Sequence, residues 1–186
     1  MTVYFAFLRA LNVGGHTVKM DTLRECFEAV GLDNVGTFIA SGNVIFESPQ
    51  SDVAALCSTL EAKLLDRLGY PVATFIRTAA ELRSIASRAD VLHEGLKADA
   101  SSCYVVFLET PPASVEVILS LGSILDEFHV NDREVYWLCR GKISESPVFI
   151  RGLLEKATGV PGTSRNIKTI KRLLDKFDGE PRQRQL

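Results

Sequence analysis

The sequence has no surplus of charge of either sign. Lys plus Arg number 21 and Asp plus Glu 23, a formal net charge of −2 with a pI near 5.9. A dedicated nucleic-acid binder usually carries a basic excess, so composition disfavours that class of partner. Long apolar runs are missing too. None approaches the roughly 20 residues needed to cross a bilayer, and no membrane association is expected. The first residues show no basic segment ahead of their apolar stretch and no small-residue cleavage site. No signal peptide is therefore expected, and the cytoplasm is the expected compartment. Cysteine is sparse and scattered: Cys26, Cys57, Cys103 and Cys139 form no C-x-x-C pair, which argues against zinc and thioredoxin-type chemistry. His16, His93 and His129 have no ligand spacing to one another or to the cysteines. No metal and no cofactor is expected. The Walker string, G-x-G-x-x-G and G-x-S-x-G are all absent, as is any recognisable nucleophile–base couple or opposed carboxylate pair. No reaction follows from the sequence.

What is present is hydrophobic periodicity in an ordered series. The patterns predict a strand over 3–11, a helix over 21–30, strands over 35–41 and 44–48, a helix over 52–68 and a strand over 72–77. Thr22-x-x-Glu25 and Thr78-x-x-Glu81 have the capping-box spacing. The order β-α-β-β-α-β within 78 residues is the split βαβ, or ferredoxin-like, arrangement. A third helix is expected over 79–88 and an irregular loop over 90–102. The second half then repeats much of the order. It has a strand over 103–109, a helix over 112–121, strands over 127–131 and 134–139, and a helix from Ser146-Pro147 to about Thr158-Gly159. Loop 160–164 could hold a short last strand, and a final helix is expected from about Arg165 to Phe177.

The expected class is thus α+β, two ferredoxin-like (βαββαβ-type) halves, each an antiparallel sheet with helices packed on one face. Residues 1–78 form the N-terminal half and 79–102 a connecting helix and loop. Residues 103–177 form the C-terminal half with its final helix, and 178–186 a frayed polar tail. No linker rich in Pro, Gly or Ser divides the halves, so they are expected to pack as one body.

One stretch breaks the pattern. In Phe7-Leu8-Arg9-Ala10-Leu11-Asn12-Val13-Gly14-Gly15, Arg9 falls on the alternating face of Val3, Phe5 and Phe7, where an apolar residue is expected. Asn12, Gly14 and Gly15 follow, just before a helix. Adjacent glycines can take positive φ and admit a group close to the backbone. In a ferredoxin-like half the end of strand one and the Ser41-Gly42-Asn43 hairpin lie on the same rim. The start of helix one, with its unpaired N–H groups, lies there as well. Thr163-Ser164-Arg165-Asn166 occupies the corresponding top of the second half, with Ser164 or Thr163 expected to cap the last helix.

At these residues the chain resembles, over nearly its whole length, the bacterial family called domain of unknown function 1697. The matching stretches are Leu8 to Gly15, Thr37-Phe38-Ile39-Ala40-Ser41-Gly42-Asn43-Val44-Ile45-Phe46, and Thr163-Ser164-Arg165-Asn166 with Thr169. The family's helix start usually reads Thr-Arg-Asn-Trp-Asn-Thr. Here Ile167 and Lys168 stand at the fourth and fifth places of that string, so its aromatic face is missing. The resemblance implies two related α/β halves and no established activity.

The expected site takes a small anionic ligand, phosphate or nucleotide. Arg9 and Arg165 would give forked, charge-assisted hydrogen bonds. Gly14, Gly15 and Gly42 would open the backbone, and Asn12, Ser41, Asn43, Thr163 and Asn166 would orient the ligand. The competing reading is structural, with Arg9 paired to a carboxylate and the asparagines satisfying loop carbonyls. A third is nucleic-acid binding through Phe5 and Phe7 on a central strand, although those rings are expected to face helices one and two. A fourth is a protein-interaction module using open edge strands, in a monomer or a homodimer.

Overall fold

The run Val3-Tyr4-Phe5-Ala6-Phe7-Leu8 has no polar face, and only a strand covered on both sides accommodates that. The computed structural model describes residues 1–12, 15–39, 42–95 and 101–179 and contains such a strand. β1 (Thr2–Leu8) lies between β3 (Asn43–Ser48) and β4 (Thr74–Thr78), both antiparallel to it, with β2 (Asp33–Phe38) outside β3. The sheet order β2-β3-β1-β4 recurs as β6-β7-β5-β8. These four strands are β5 (Ser101–Leu108), β6 (Asp126–Asn131), β7 (Glu134–Arg140) and β8 (Gly162–Asn166). The protein is α+β, with two antiparallel four-stranded sheets in two ferredoxin-like halves.

Alternate residues of β1 serve different cores. Tyr4, Ala6 and Leu8 face α1 (Met20–Glu28) and α2 (Val53–Leu68), meeting Leu23, Phe27, Leu56, Leu60 and Leu64. Phe5 and Phe7 point the other way. They join Cys103, Val105, Phe107 and Tyr136 of the second sheet, with α3 (Ala79–Gly95) and α7 (Ile167–Gly179). The expectation that these phenylalanines face helices one and two is therefore wrong. They build the core between the halves and are fully buried, which leaves them no face for a nucleobase. At about 1.5–3 kcal/mol per large apolar side chain, this shared core gives the halves reason to stay together. The outer face of the second sheet, with Val106, Leu108 and Trp137, is roofed by α4 (Val115–Leu119), α5 (Pro147–Ile150) and α6 (Leu153–Thr158).

Local chemistry explains the boundaries. Asp52 caps α2 by accepting from the Ala55 N–H at 3.0 Å. At α3 the box closes both ways: the Thr78 N–H donates to Glu81 at 2.7 Å and the Glu81 N–H to Thr78 Oγ1 at 3.2 Å. That helix runs on to Gly95, seven residues past the expected end, so most of the loop predicted over 90–102 is helix or strand. The capping box predicted at Thr22 does not form; Lys19 precedes α1 without a side-chain cap. The helix predicted over 112–121 is only Val115–Leu119, capped by Ser114. The single helix expected from Ser146 to Thr158 is two short helices, α5 and α6, joined through Arg151 and Gly152, and a 3-10 turn (Ile143–Glu145) precedes them. Asp178, the first residue of the tail expected over 178–186, is in α7 and pairs with Arg83 at 2.7 Å. Residues 180–186 lie outside the described residues. Among the described residues, no helix is long and apolar enough to cross a membrane.

One buried group breaks the usual accounting. The Tyr136 hydroxyl sits in the shared core without a hydrogen-bond partner, and burial pushes its pKa up. A buried unmade hydrogen bond costs about 1–3 kcal/mol. Tyr136→Phe is therefore expected to raise stability by up to that amount, read from the midpoint of urea unfolding. A loss above about 1 kcal/mol would show that the hydroxyl has an unrecognised role.

Candidate functional site

The residues singled out by sequence fall into two groups, one inside the protein and one on its surface. Arg165 belongs to the first. It lies in β8, two residues before α7, and its neighbours in the strand set its direction. Thr163 and Arg165 point inward while Ser164 points out. Its guanidinium crosses into the first half. Nε donates to Asn43 Oδ1 at 2.6 Å, and Nη2 to the carbonyls of Leu8 at 2.9 Å and Gly42 at 3.3 Å. Nη1 donates to Thr163 Oγ1 and to the Ser164 carbonyl, both at 2.8 Å. Asn43 Nδ2 in turn donates to the Phe38 carbonyl at 3.0 Å. Burial lowers the Arg165 pKa to about 10. The expectation that Arg165 starts the last helix, capped by Ser164 or Thr163, is corrected. The cap is Asn166, whose Oδ1 accepts from the Lys168 N–H at 2.9 Å.

The second half contains the mirror of this arrangement, which sequence reading missed. Arg77 is the fourth residue of β4 as Arg165 is of β8. Its guanidinium crosses the other way. Nε donates to Glu134 Oε1 at 2.7 Å, Nη2 to the Leu108 carbonyl at 3.0 Å and Nη1 to the Ile76 carbonyl at 2.8 Å. The equivalence extends to register. Phe7 pairs with Asn43 across β1–β3, and Phe107 pairs with Glu134 across β5–β7. Phe7 and Phe107 stack on each other with centroids 4.1 Å apart. Arg165 lies over the Phe7 ring and Arg77 over the Phe107 ring, each at 5.6 Å. The two halves are joined by reciprocal arginines about a pseudo-twofold axis. Laying the last strand of each half over the other would have exposed the pair, since each carries arginine at its fourth position.

The equivalent ends differ in charge. Where the second half offers Arg77 a carboxylate, Glu134, the first half offers Arg165 an amide, Asn43. The amide accepts the same hydrogen bond but contributes no charge.

The surface group surrounds the end of β1. Arg9 does not continue the strand. Its N–H donates to the Ala73 carbonyl at 2.9 Å, and Ala10 turns the chain at φ +54°. The side chain leaves the sheet face predicted for it and pairs with Glu155 on α6 of the other half, where it is 33 % exposed and Glu155 63 %. Asn12 Oδ1 accepts from the Val18 N–H at 2.8 Å, which closes its loop. His16 stacks on Tyr70 at 4.0 Å. Gly15 has φ +88°, with open space where a side chain would stand. Gly42 is a glycine for a different reason. At φ +74° an added Cβ would meet Leu8 Cβ at 3.1 Å and Leu11 Cδ2 at 3.3 Å. Gly14 and Ser41 lie outside the described residues.

Two hollows lie beside these ends. One, about 240 Å³, opens between the outer face of the second sheet and α5–α6, with Glu155 and Ser164 in its wall. The other, about 290 Å³, lies between α2 and the Leu108–Thr110 segment and includes Cys57, Glu61 and Arg133. Burial, with a smaller contribution from Glu61, pushes the Cys57 thiol up to about 11. It stays protonated at neutral pH and is a poor nucleophile. All four cysteines are free thiols. Among the described residues no group of three His, Cys, Asp or Glu is placed to hold a metal ion.

A family model described as a protein of unknown function (DUF1697) matches residues 1–136. The third stretch of resemblance, Thr163 to Thr169, lies beyond that match. Among solved structures, the chain is similar to the conserved bacterial protein SP0830 from Streptococcus pneumoniae, with a TM-score of 0.65 and 20% identity. The alignment covers 94% of this chain and 97% of that one. At that identity the likeness shows the fold alone. No curated protein matches the sequence.

Proposed function

The chain belongs to the DUF1697 family, a family of unknown function, and from that starting point we propose that it binds a small anion, a phosphate or the phosphate of a nucleotide, at the first-half rim. The observation that carries the reading is the exchange of Glu134 for Asn43 at equivalent register positions. One cross-half arginine sits beside a carboxylate and its counterpart beside a neutral amide, so the two rims differ by one charge at that position. Arg165 spends donors on protein oxygens and acts through its positive field rather than by touching the ligand. Direct contact falls to Arg9. Its exposed pair with Glu155 is worth at most about 1 kcal/mol, so an incoming anion displaces the carboxylate at little cost. Gly15 gives open backbone beside it, Asn12 and Gly42 hold the two loops in place, and Gly14 and Ser41 enter on their sequence positions. Thr163, Asn43 and Asn166 are supports of the scaffold.

The test is a thermal shift with inorganic phosphate, pyrophosphate and ATP. At ten times Kd a rise of about 3–6 °C is expected for a chain of this size. Arg9→Ala, an exposed change, removes the rise. Asn43→Asp gives the first rim the charge of the second and also suppresses it. That variant loses the bond to the Phe38 carbonyl, so its own ligand-free Tm is the baseline. No shift with any of the three anions, or an equal shift in Arg9→Ala, ends the proposal and leaves the arginines as structural clasps only.

A further inference from the structure

The outer roof of the second sheet is thinner than that of the first. Two helices of 9 and 16 residues cover the first sheet, whereas helices of 5, 4 and 6 residues cover the second. The gap in this roof is the 240 Å³ cleft. Its apolar wall is Val106, Leu108, Trp137, Val148, Phe149 and Leu154. Phe149 and its neighbour Ile150 remain mostly exposed. Its polar side chains are Thr158, Ser164 and Glu155. Ser164 projects from β8, and Glu155 carries the ion pair to Arg9 across the boundary between the halves. An apolar hollow with one charged corner is the usual form of a small-molecule site.

We propose that this cleft takes the apolar part of an amphipathic small anion, an aryl carboxylate or aryl phosphate, whose charged end Arg9 accepts in place of Glu155. This rests on the anion reading of Arg9 and narrows it to ligands that carry a ring. The volume is below the roughly 300–1,000 Å³ of drug-sized pockets and suits one or two rings. Charge selects the class. Glu155 is the more exposed partner of the pair and is released to water, while Arg9, which meets the cleft through Glu155 and is tied by its backbone to Ala73, is left to the ligand. The ring then meets Trp137 and Phe149, where offset or edge contacts between aromatics are favourable.

Trp137 is the only tryptophan of the chain and lines the cleft, so its fluorescence reports occupancy. Phenylacetate and phenyl phosphate are titrated against the protein, with benzylamine and inorganic phosphate alongside. A saturable change in Trp137 emission is expected with the two aryl anions, half-complete near ~1 mM, in keeping with the affinity of fragment-sized ligands. Benzylamine and inorganic phosphate leave the emission unchanged. Arg9→Ala weakens the response about tenfold, the loss of one charge-assisted hydrogen bond. Ser164→Phe, which fills the mouth from an exposed position, abolishes it. A flat titration with both aryl anions, a matching response to benzylamine, or an undiminished response in Arg9→Ala overturns the proposal. The two readings separate cleanly. A thermal shift with inorganic phosphate and no response to aryl anions sinks the cleft ligand and leaves the anion site standing. Aryl binding that ignores Arg9, with no phosphate shift, sinks both.

Discussion

Replacing Glu134 with alanine is expected to destabilise the protein by about 3–5 kcal/mol, the usual cost of stranding one member of a buried ion pair. The pair with Arg77 is almost closed to water, with side chains 2 % and 8 % exposed. Burial lowers the Arg77 pKa, and the Glu134 carboxylate opposes that shift. Without Glu134 the guanidinium keeps its bonds to the Leu108 and Ile76 carbonyls but loses the charge that compensates its desolvation. Carbonyl dipoles are weaker partners than a carboxylate. The double variant Arg77→Met/Glu134→Leu removes the charge along with its partner and should regain much of the loss, because buried pairs replaced by apolar residues are often neutral. Urea unfolding measures both through the midpoint, with the slope confirming a two-state transition. A cost below about 1 kcal/mol for Glu134→Ala would mean that water reaches Arg77, and the contrast drawn between the two rims would lose its basis.

That contrast shows which features of this chain could be read from its sequence. The two ferredoxin-like halves were legible because most elements announce themselves locally. α2 has an Asp52 cap, a long apolar stripe and Gly69 at its end. β1 is apolar from Val3 to Leu8, which marks a strand but hides which face is which. Tyr4, Ala6 and Leu8 are as hydrophobic as Val3, Phe5 and Phe7, so only the assembled layers assign them. β8 was only half legible, as a short last strand that loop 160–164 could hold, and for the opposite reason. Gly162-Thr163-Ser164-Arg165-Asn166 contains no apolar residue, and a polar string before an apolar helix reads as a cap. Its inward positions are filled by Thr163, which accepts from Arg165, and by Arg165, whose Nε and Nη2 bonds end on the other half. Periodicity detects burial only when the buried side chain is hydrophobic. The same limit hid Arg77, and Arg9 was misplaced because alternation assumes the strand continues past Leu8. The Asn12 and Ser41–Asn43 loops were legible as special, but the arginine that bonds to Asn43 comes from 122 residues away in sequence.

The largest test of the pseudo-twofold arrangement is its aromatic centre. Phe7→Ala and Phe107→Ala are each expected to cost about 3–5 kcal/mol, the range for truncating a buried phenylalanine. Both rings are fully buried, 4.1 Å apart and within 9° of parallel. Each also carries the opposite half's arginine on its ring. Truncating either ring therefore removes apolar burial, a stacking partner and the bed of a buried cation together. Because the environments are related by the pseudo-twofold axis, the two single losses should agree within about 1 kcal/mol. They should not add. Once one ring is gone the second no longer has the stack to lose, so the double variant should fall short of the sum by about 0.5–1.5 kcal/mol, the strength of a direct aromatic pair. Leucine at either position restores most of the area and none of the stack, which separates the two contributions. If the double variant costs the full sum within about 0.3 kcal/mol, the rings act as independent core residues. The halves would then be held by general burial and by the arginines, with no contribution from the stack.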